Sequence, residues 1–195
     1  MILRLKAIAL VLRASRALLE VIVSYGEDIF ALIREDHLTG LGNQRFFRET
    51  GEREVSRAAR HGRPLSVVVI DLDGLKYVND ISGHAAGDRI LQKVAEILKG
   101  NIRRLDWAFR PGGDEFSLIL SETLMSGAKL LLERIIEDLA NDGINASYGI
   151  ACSDEVPLGE RISSDEARKI FSELVDTADE RMYRQKGEKG LSLRD

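Results

Sequence analysis

Along the chain the apolar positions change period several times, and each change marks an element. Leu65-Ser-Val-Val-Val-Ile70 is a short, nearly continuous β-branched run, the pattern of a strand buried on both faces. Gly62-Arg63-Pro64 precedes it and stops a helix predicted from the capping residue Asn43 to about His61, with Phe46 and Phe47 facing inward. A short helix follows near Lys76 to Ile81, and Ile90, Leu91, Val94, Ile97 and Leu98 then place a core-facing helix over about Ala85 to Leu98. Phe116, Leu118 and Leu120 alternate as a strand does. With Asp106 to Arg110 they predict a hairpin whose turn carries Asp114 at its tip. Ser126 to Leu139 is amphipathic with helical period, and Ile144, Ala146, Tyr148 and Ile150 alternate again. Ser153 to Ser164 reads as a surface excursion, and Asp165 to Gln185 as a closing helix with Ile170, Leu174, Ala178 and Met182 on one face.

The first 35 residues follow a different pattern. Leu5, Ile8, Leu12, Leu19, Ile22, Ile29 and Ile33 fit heptad a and d positions, while Lys6, Arg13, Arg16, Glu20, Glu27 and Arg34 share the other side. A helix of this length spans roughly 50 Å. Three uses stand open: a parallel dimeric coiled coil, packing on the protein's own core, or lying on a membrane surface. The heptads favour dimerisation. Charges interrupt the segment too often for the roughly 18 apolar residues that a bilayer span needs, and two arginines follow the early apolar run where a cleavage site would stand. Neither a membrane span nor a signal peptide is expected, and the expected location is the cytoplasm. Residues 188–195 have little apolar content and are expected to form a flexible tail.

The 195 residues are 44% hydrophobic, enough for one well-buried domain and an extension, with a net charge of −4 that argues against a nucleic-acid polymer as partner. Cys152 is the single cysteine and is expected to be a small buried residue without chemistry. Strands and helices interleave without the regular alternation of a Rossmann sheet, and no Gly-x-Gly-x-x-Gly or Walker loop is present. The fold class is α+β with a hairpin.

The candidate chemistry sits at two acidic strand ends. Gly112-Gly113-Asp114-Glu115-Phe116 places two carboxylates on a tight turn, and Asp71-Leu72-Asp73 places two more where the β-branched run ends. Taken alone, the first stretch is as well explained by a solvated turn as by a cation site; the second tips the balance. Together they resemble the GGDEF family of diguanylate cyclases. The resemblance extends in family order through Asp36-His37-Leu38-Thr39-Gly40-Leu41 with Asn43 and Arg45, Lys76, Asn79 and Asp80, Gly83-His84, Gly87-Asp88, Arg103 and Asp106. It ends with Ser147-Tyr148-Gly149, Ala178-Asp179, Met182, Tyr183 and Lys186, covering about residues 36 to 187.

The resemblance implies a palm-like domain over residues 36–187, of nucleotide-cyclase or ferredoxin-like type. Its central, mostly antiparallel sheet is wrapped by helices and preceded by a long N-terminal helix over residues 1–35. It implies condensation of two GTP molecules to cyclic di-GMP, with magnesium, or manganese in its place, held by Asp71, Asp114, Glu115 and the backbone carbonyl of Leu72. Asp114 or Glu115 is the general base, and Lys76 the transition-state cation. Asn79 and Asp88 correspond to the guanine-reading pair; His84 and Arg110 are expected at the nucleotide and Lys186 at its phosphates. Arg103 and Asp106 correspond to an inhibitory product site, and a homodimer is expected through the first helix. Gly74-Leu75 replaces bulkier residues before Lys76, and the usual arginine after Lys186 is missing, with Lys189 a candidate substitute. Two other readings are a non-catalytic module that senses cyclic di-GMP or GTP, and a cyclase of altered base choice.

Overall fold

In the computed structural model, residues 33–156, 159 and 161–190 are described; the expected first helix lies, through residue 32, outside them. The chain divides into two compact units, Met1–Glu35 and Asp36–Asp195. Among the described residues no helix is long and apolar enough to cross a membrane.

The second unit runs α1 (Gln44–His61), β1 (Leu65–Leu72), α2 (Leu75–Ser82), α3 (His84–Asn101), β2 (Trp107–Gly112), β3 (Glu115–Ser121), α4 (Met125–Asn141), β4 (Ala146–Cys152), a 3-10 turn (Ser153–Glu155) and α5 (Ser164–Glu188). The four strands form one sheet in the order β2-β3-β1-β4, with every named pair antiparallel. This is the α+β architecture that the sequence predicts. Local chemistry sets the helix ends: the Asn43 side chain accepts the Phe46 amide at α1, and Ser163 with Glu166 forms a capping box at α5.

Several boundaries differ from expectation by a few residues. β1 continues through Asp71 and Leu72, because its ladder partners Glu115 and Ser147 extend as far. β4 begins at Ala146 and runs to Cys152, whose amide bonds the Glu155 carboxylate at 3.0 Å. Helix α5 passes Gln185 and ends at Glu188. Cys152 is buried, and burial pushes its thiol up.

The pleat sends alternate residues to opposite faces. Val68, Ile70, Leu118 and Ile150 enter one core with α3 and α4, which contribute Leu91, Val94, Leu132 and Ile135. Val67, Val69, Ile119 and Ala151 enter a second core with α1 and α5. There Phe47 lies 5.1 Å from both Phe109 and Phe171, measured between ring centroids.

On this second face the strands are matched row by row: Ile119, Val67 and Ala151, then Ser117, Val69 and Gly149, then Glu115, Asp71 and Ser147. The last row is polar. A Cβ on Gly149 would lie 1.9 Å from the Ala178 carbonyl oxygen and 2.6 Å from the Met182 nitrogen. Only glycine lets α5 approach the sheet this closely, and that approach brings the end of α5 to the polar row.

Candidate active site

The last row and the hairpin tip build a carboxylate cluster. Asp71 and Glu115 are direct cross-strand partners, and the Leu72 amide bonds the Asp114 carbonyl at 3.2 Å, fixing the turn beside the end of β1. A β-bulge between Phe109 and Gly112 and the left-handed Gly113 (φ 55°) shape the tip that carries Asp114. Lys186 reaches in from α5, its Nζ 2.6 Å from Asp71 Oδ1.

Burial, then Asp114 and Asp73, push the Asp71 carboxyl up, more than its contact with Lys186 lowers it. Burial, followed by Asp71, Asp114 and Asp179, pushes Glu115 up. Burial opposes the charge on Lys186, but its bond and attraction to Asp71 outweigh this and raise it. Asp71 Oδ1 is shielded from water and faces the Lys186 ammonium, its counter-charge, at 2.6 Å.

A shielded carboxylate oxygen among mutually repelling carboxylates suits a hard divalent cation. Among the described residues no three such groups already converge at metal-binding distance, and Lys186 supplies the neutralising charge. A cavity of about 490 Å³ beside Phe47, Val69, Pro111, Phe171 and Asp179 also reaches Glu115.

The remaining candidate residues fall in three places. Lys76 is exposed on the first turn of α2, three residues beyond Asp73. Asn79 lies further along this helix, and a Cβ on Gly87 would meet its Oδ1 at 2.1 Å, so the carboxamide lies over the first turn of α3, where His84 and Asp88 are exposed. At the other end of α3, the Asp106 carboxylate accepts the Arg103 amide at 3.0 Å and burial pushes it up, while the Arg103 side chain is exposed. Arg134 of α4 bonds the Asn101 carbonyl at 2.9 Å, bringing a second guanidinium near this turn.

Arg110 is occupied within the protein. It donates to the Gly113 carbonyl through Nε at 3.0 Å and through a terminal nitrogen at 2.6 Å, and it pairs with Asp36 at 3.1 Å. Asp36 also accepts the Thr39 hydroxyl at 2.6 Å, so the turn before α1 is tied to the hairpin tip. Lys189 is likewise occupied, by Asp73, Ser147 and the Ala146 carbonyl. Sequence reasoning did not identify these two bracing roles, because each joins residues far apart in the chain.

The family model for the diguanylate cyclase GGDEF domain matches residues 33–191. The chain belongs to the GGDEF family. It is 36% identical over 148 residues to diguanylate cyclase DosC of Escherichia coli (strain K12), an alignment covering 76% of this chain and 32% of that protein. It is 36% identical over 151 residues to diguanylate cyclase DgcS of Shewanella oneidensis, covering 77% and 49%. This GGDEF chain therefore spans about a third to a half of these relatives. A solved microbial GGDEF domain, studied for its interaction with cyclic di-GMP, superposes with a TM-score of 0.70 at 32% identity, covering 82% of this chain and 94% of that one.

Proposed function

We propose that this chain carries diguanylate cyclase activity, condensing two GTP molecules into cyclic di-GMP and two pyrophosphates. The observation that carries this reading is the carboxylate row of Asp71 and Glu115, beside Asp114 on the family's signature turn, with the Lys186 ammonium as its counter-charge.

In this reading Asp71, Asp114, Glu115 and the Leu72 carbonyl hold magnesium, or manganese in its place. The metal supplies charge neutralisation at the α-phosphate and activation of the attacking 3′-hydroxyl. That oxygen bonds to the α-phosphorus as the bond to pyrophosphate breaks, and its proton passes to Asp114 or Glu115. Lys76 and Lys186 bind phosphate oxygens; Lys186 exchanges its contact with Asp71 for one with substrate. Asn79 accepts and donates at the guanine edge, Asp88 accepts from its N–H groups, and His84 lies beside the nucleotide. Arg110 orients the hairpin tip through Gly113. One GTP per protomer requires two protomers face to face, and the heptads before residue 35 provide the pairing.

Arg103 and Asp106 form the product site in this reading: Asp106 holds the turn and the exposed Arg103 grips the phosphate and guanine of cyclic di-GMP. Chromatography with mass detection after incubation with GTP and magnesium tests the whole assignment, with Asp114→Ala and a sizing run alongside. Cyclic di-GMP from the parent protein alone is the expected result; none from a confirmed dimer would leave a binding module.

A further inference from the structure

The outer edge of β4 is satisfied by side chains. Arg181 donates to the Ile150 carbonyl at 2.6 Å, Gln185 Oε1 accepts the Tyr148 amide at 2.7 Å, and Lys189 donates to the Ala146 carbonyl at 2.7 Å. The spacings match: four helical residues advance about 6.0 Å and two strand residues about 6.6 Å, a difference that flexible side chains absorb. Helix α5 thus runs along the sheet edge as a rail, and its last rung lies at the carboxylate cluster.

That rung holds Asp73. Lys189 Nζ reaches Asp73 Oδ2 at 3.0 Å and Ser147 Oγ at 3.2 Å as well as the Ala146 carbonyl, three acceptors for an ammonium with three donors. The Ser147 hydroxyl donates to Asp73 Oδ1 at 2.8 Å. Both Asp73 oxygens therefore have partners, one of them Lys189, whereas Asp71, two residues away, faces the Lys186 ammonium at 2.6 Å, the lysine that the cyclase reading transfers to substrate.

We infer that Lys189 is a positioning residue that neutralises and restrains Asp73, so that Asp71, and not Asp73, is the carboxylate offered to the metal. The inference rests on the cyclase reading above. It assigns Lys189 a role different from that of a substitute phosphate ligand, because all three of its donors are already used within the protein.

The test compares Lys189→Met, Lys189→Arg and the double variant Lys189→Met/Asp73→Asn with the parent protein. Freed by Lys189→Met, Asp73 competes for the metal; the expected result is a kcat about ten-fold lower with the GTP KM changed less than about three-fold. Manganese alone, titrated calorimetrically, binds Lys189→Met at least about three-fold more tightly than the parent, since a carboxylate has been released. Asp73→Asn in the same chain returns both quantities toward parental values, and Lys189→Arg stays near them. A raised KM at unchanged kcat, or a double variant no better than Lys189→Met, would overturn the inference. So would unaltered manganese affinity in Lys189→Met. Parent protein that binds manganese but makes no cyclic di-GMP would count against the cyclase reading, while the manganese comparison would still decide the role of Lys189.

Discussion

Lys186 places its ammonium 2.6 Å from the Asp71 carboxylate, joining the last turns of α5 to the end of the central strand β1. The pair is mostly shielded, with side-chain exposures of 17% and 11%, so removing one partner strands the other in a poorly solvated site. Lys186→Met is expected to lower the melting temperature of metal-free protein. Thermal melts with and without magnesium check this: the ion should stabilise Lys186→Met more than the parent, because it supplies the charge that was removed.

Gly149→Ala drives a methyl group into the backbone of α5 at Ala178 and Met182. Overpacking costs about 1–3 kcal/mol, and the upper end applies where the obstacle is main chain. Urea titration is expected to show that loss. Turnover should fall with it, since the displaced helix carries Lys186.

Asp36 gives a pH dependence of defined sign. Burial works to raise its pKa, but hydrogen bonds from Thr39 and Arg110, with the charge of Arg110, outweigh burial and hold it below the ordinary carboxylate range. A depressed pKa contributes stability above the unfolded-state value of about 4, and that stability is lost as pH falls through the folded-state value. Asp36→Asn should therefore be less stable than the parent at pH 7. The difference should close as denaturation curves are taken at progressively more acid pH.

Asp179 has the opposite sign. Burial, then Asp176 and Glu180, raise its pKa, so the folded state favours the protonated acid and loses that advantage as pH rises from the unfolded-state value to the folded one. Asp179→Asn is expected to melt higher than the parent at pH 7 and to coincide with it below about pH 4. An equal gain at both pH values would show that packing, not charge, is responsible.

Arg103→Ala is expected to relieve inhibition by added cyclic di-GMP while leaving the initial rate at low product close to parental. Inhibition curves with and without added cyclic di-GMP decide it, and unchanged inhibition in the variant removes the product-site assignment.

Periodicity and punctuation made the elements legible: the β-branched run at Leu65, the cap at Asn43 and the alternation through Phe116 each correspond to an observed strand or helix. The strand order was not legible from these patterns, because β2-β3-β1-β4 depends on which pleated faces meet, and the family resemblance implied only the type of sheet. In the site, the carboxylates stood out as charge at strand ends, where charge is costly. The partners of Arg110 and Lys189 did not, since an isolated arginine or lysine in a sequence reads as surface. Their acceptors include the carbonyls of Gly113 and Ala146, and backbone groups carry no side-chain signal.

The alternation of the sheet's two faces also divides the consequences of mutation. Rows that end in Glu115, Asp71 and Ser147 are stacked on α5, whereas the neighbouring residues Phe116, Ile70 and Tyr148 face α3 and α4. Changes of volume at Val68, Leu118 or Ile150 are absorbed away from the carboxylates and register as altered stability. The same changes at Val69, Ser117 or Gly149 lie in the rows that lead to Glu115 and Asp71. Directed evolution of this domain would thus find one face a reservoir for tolerated novelty and the other a control surface for rate.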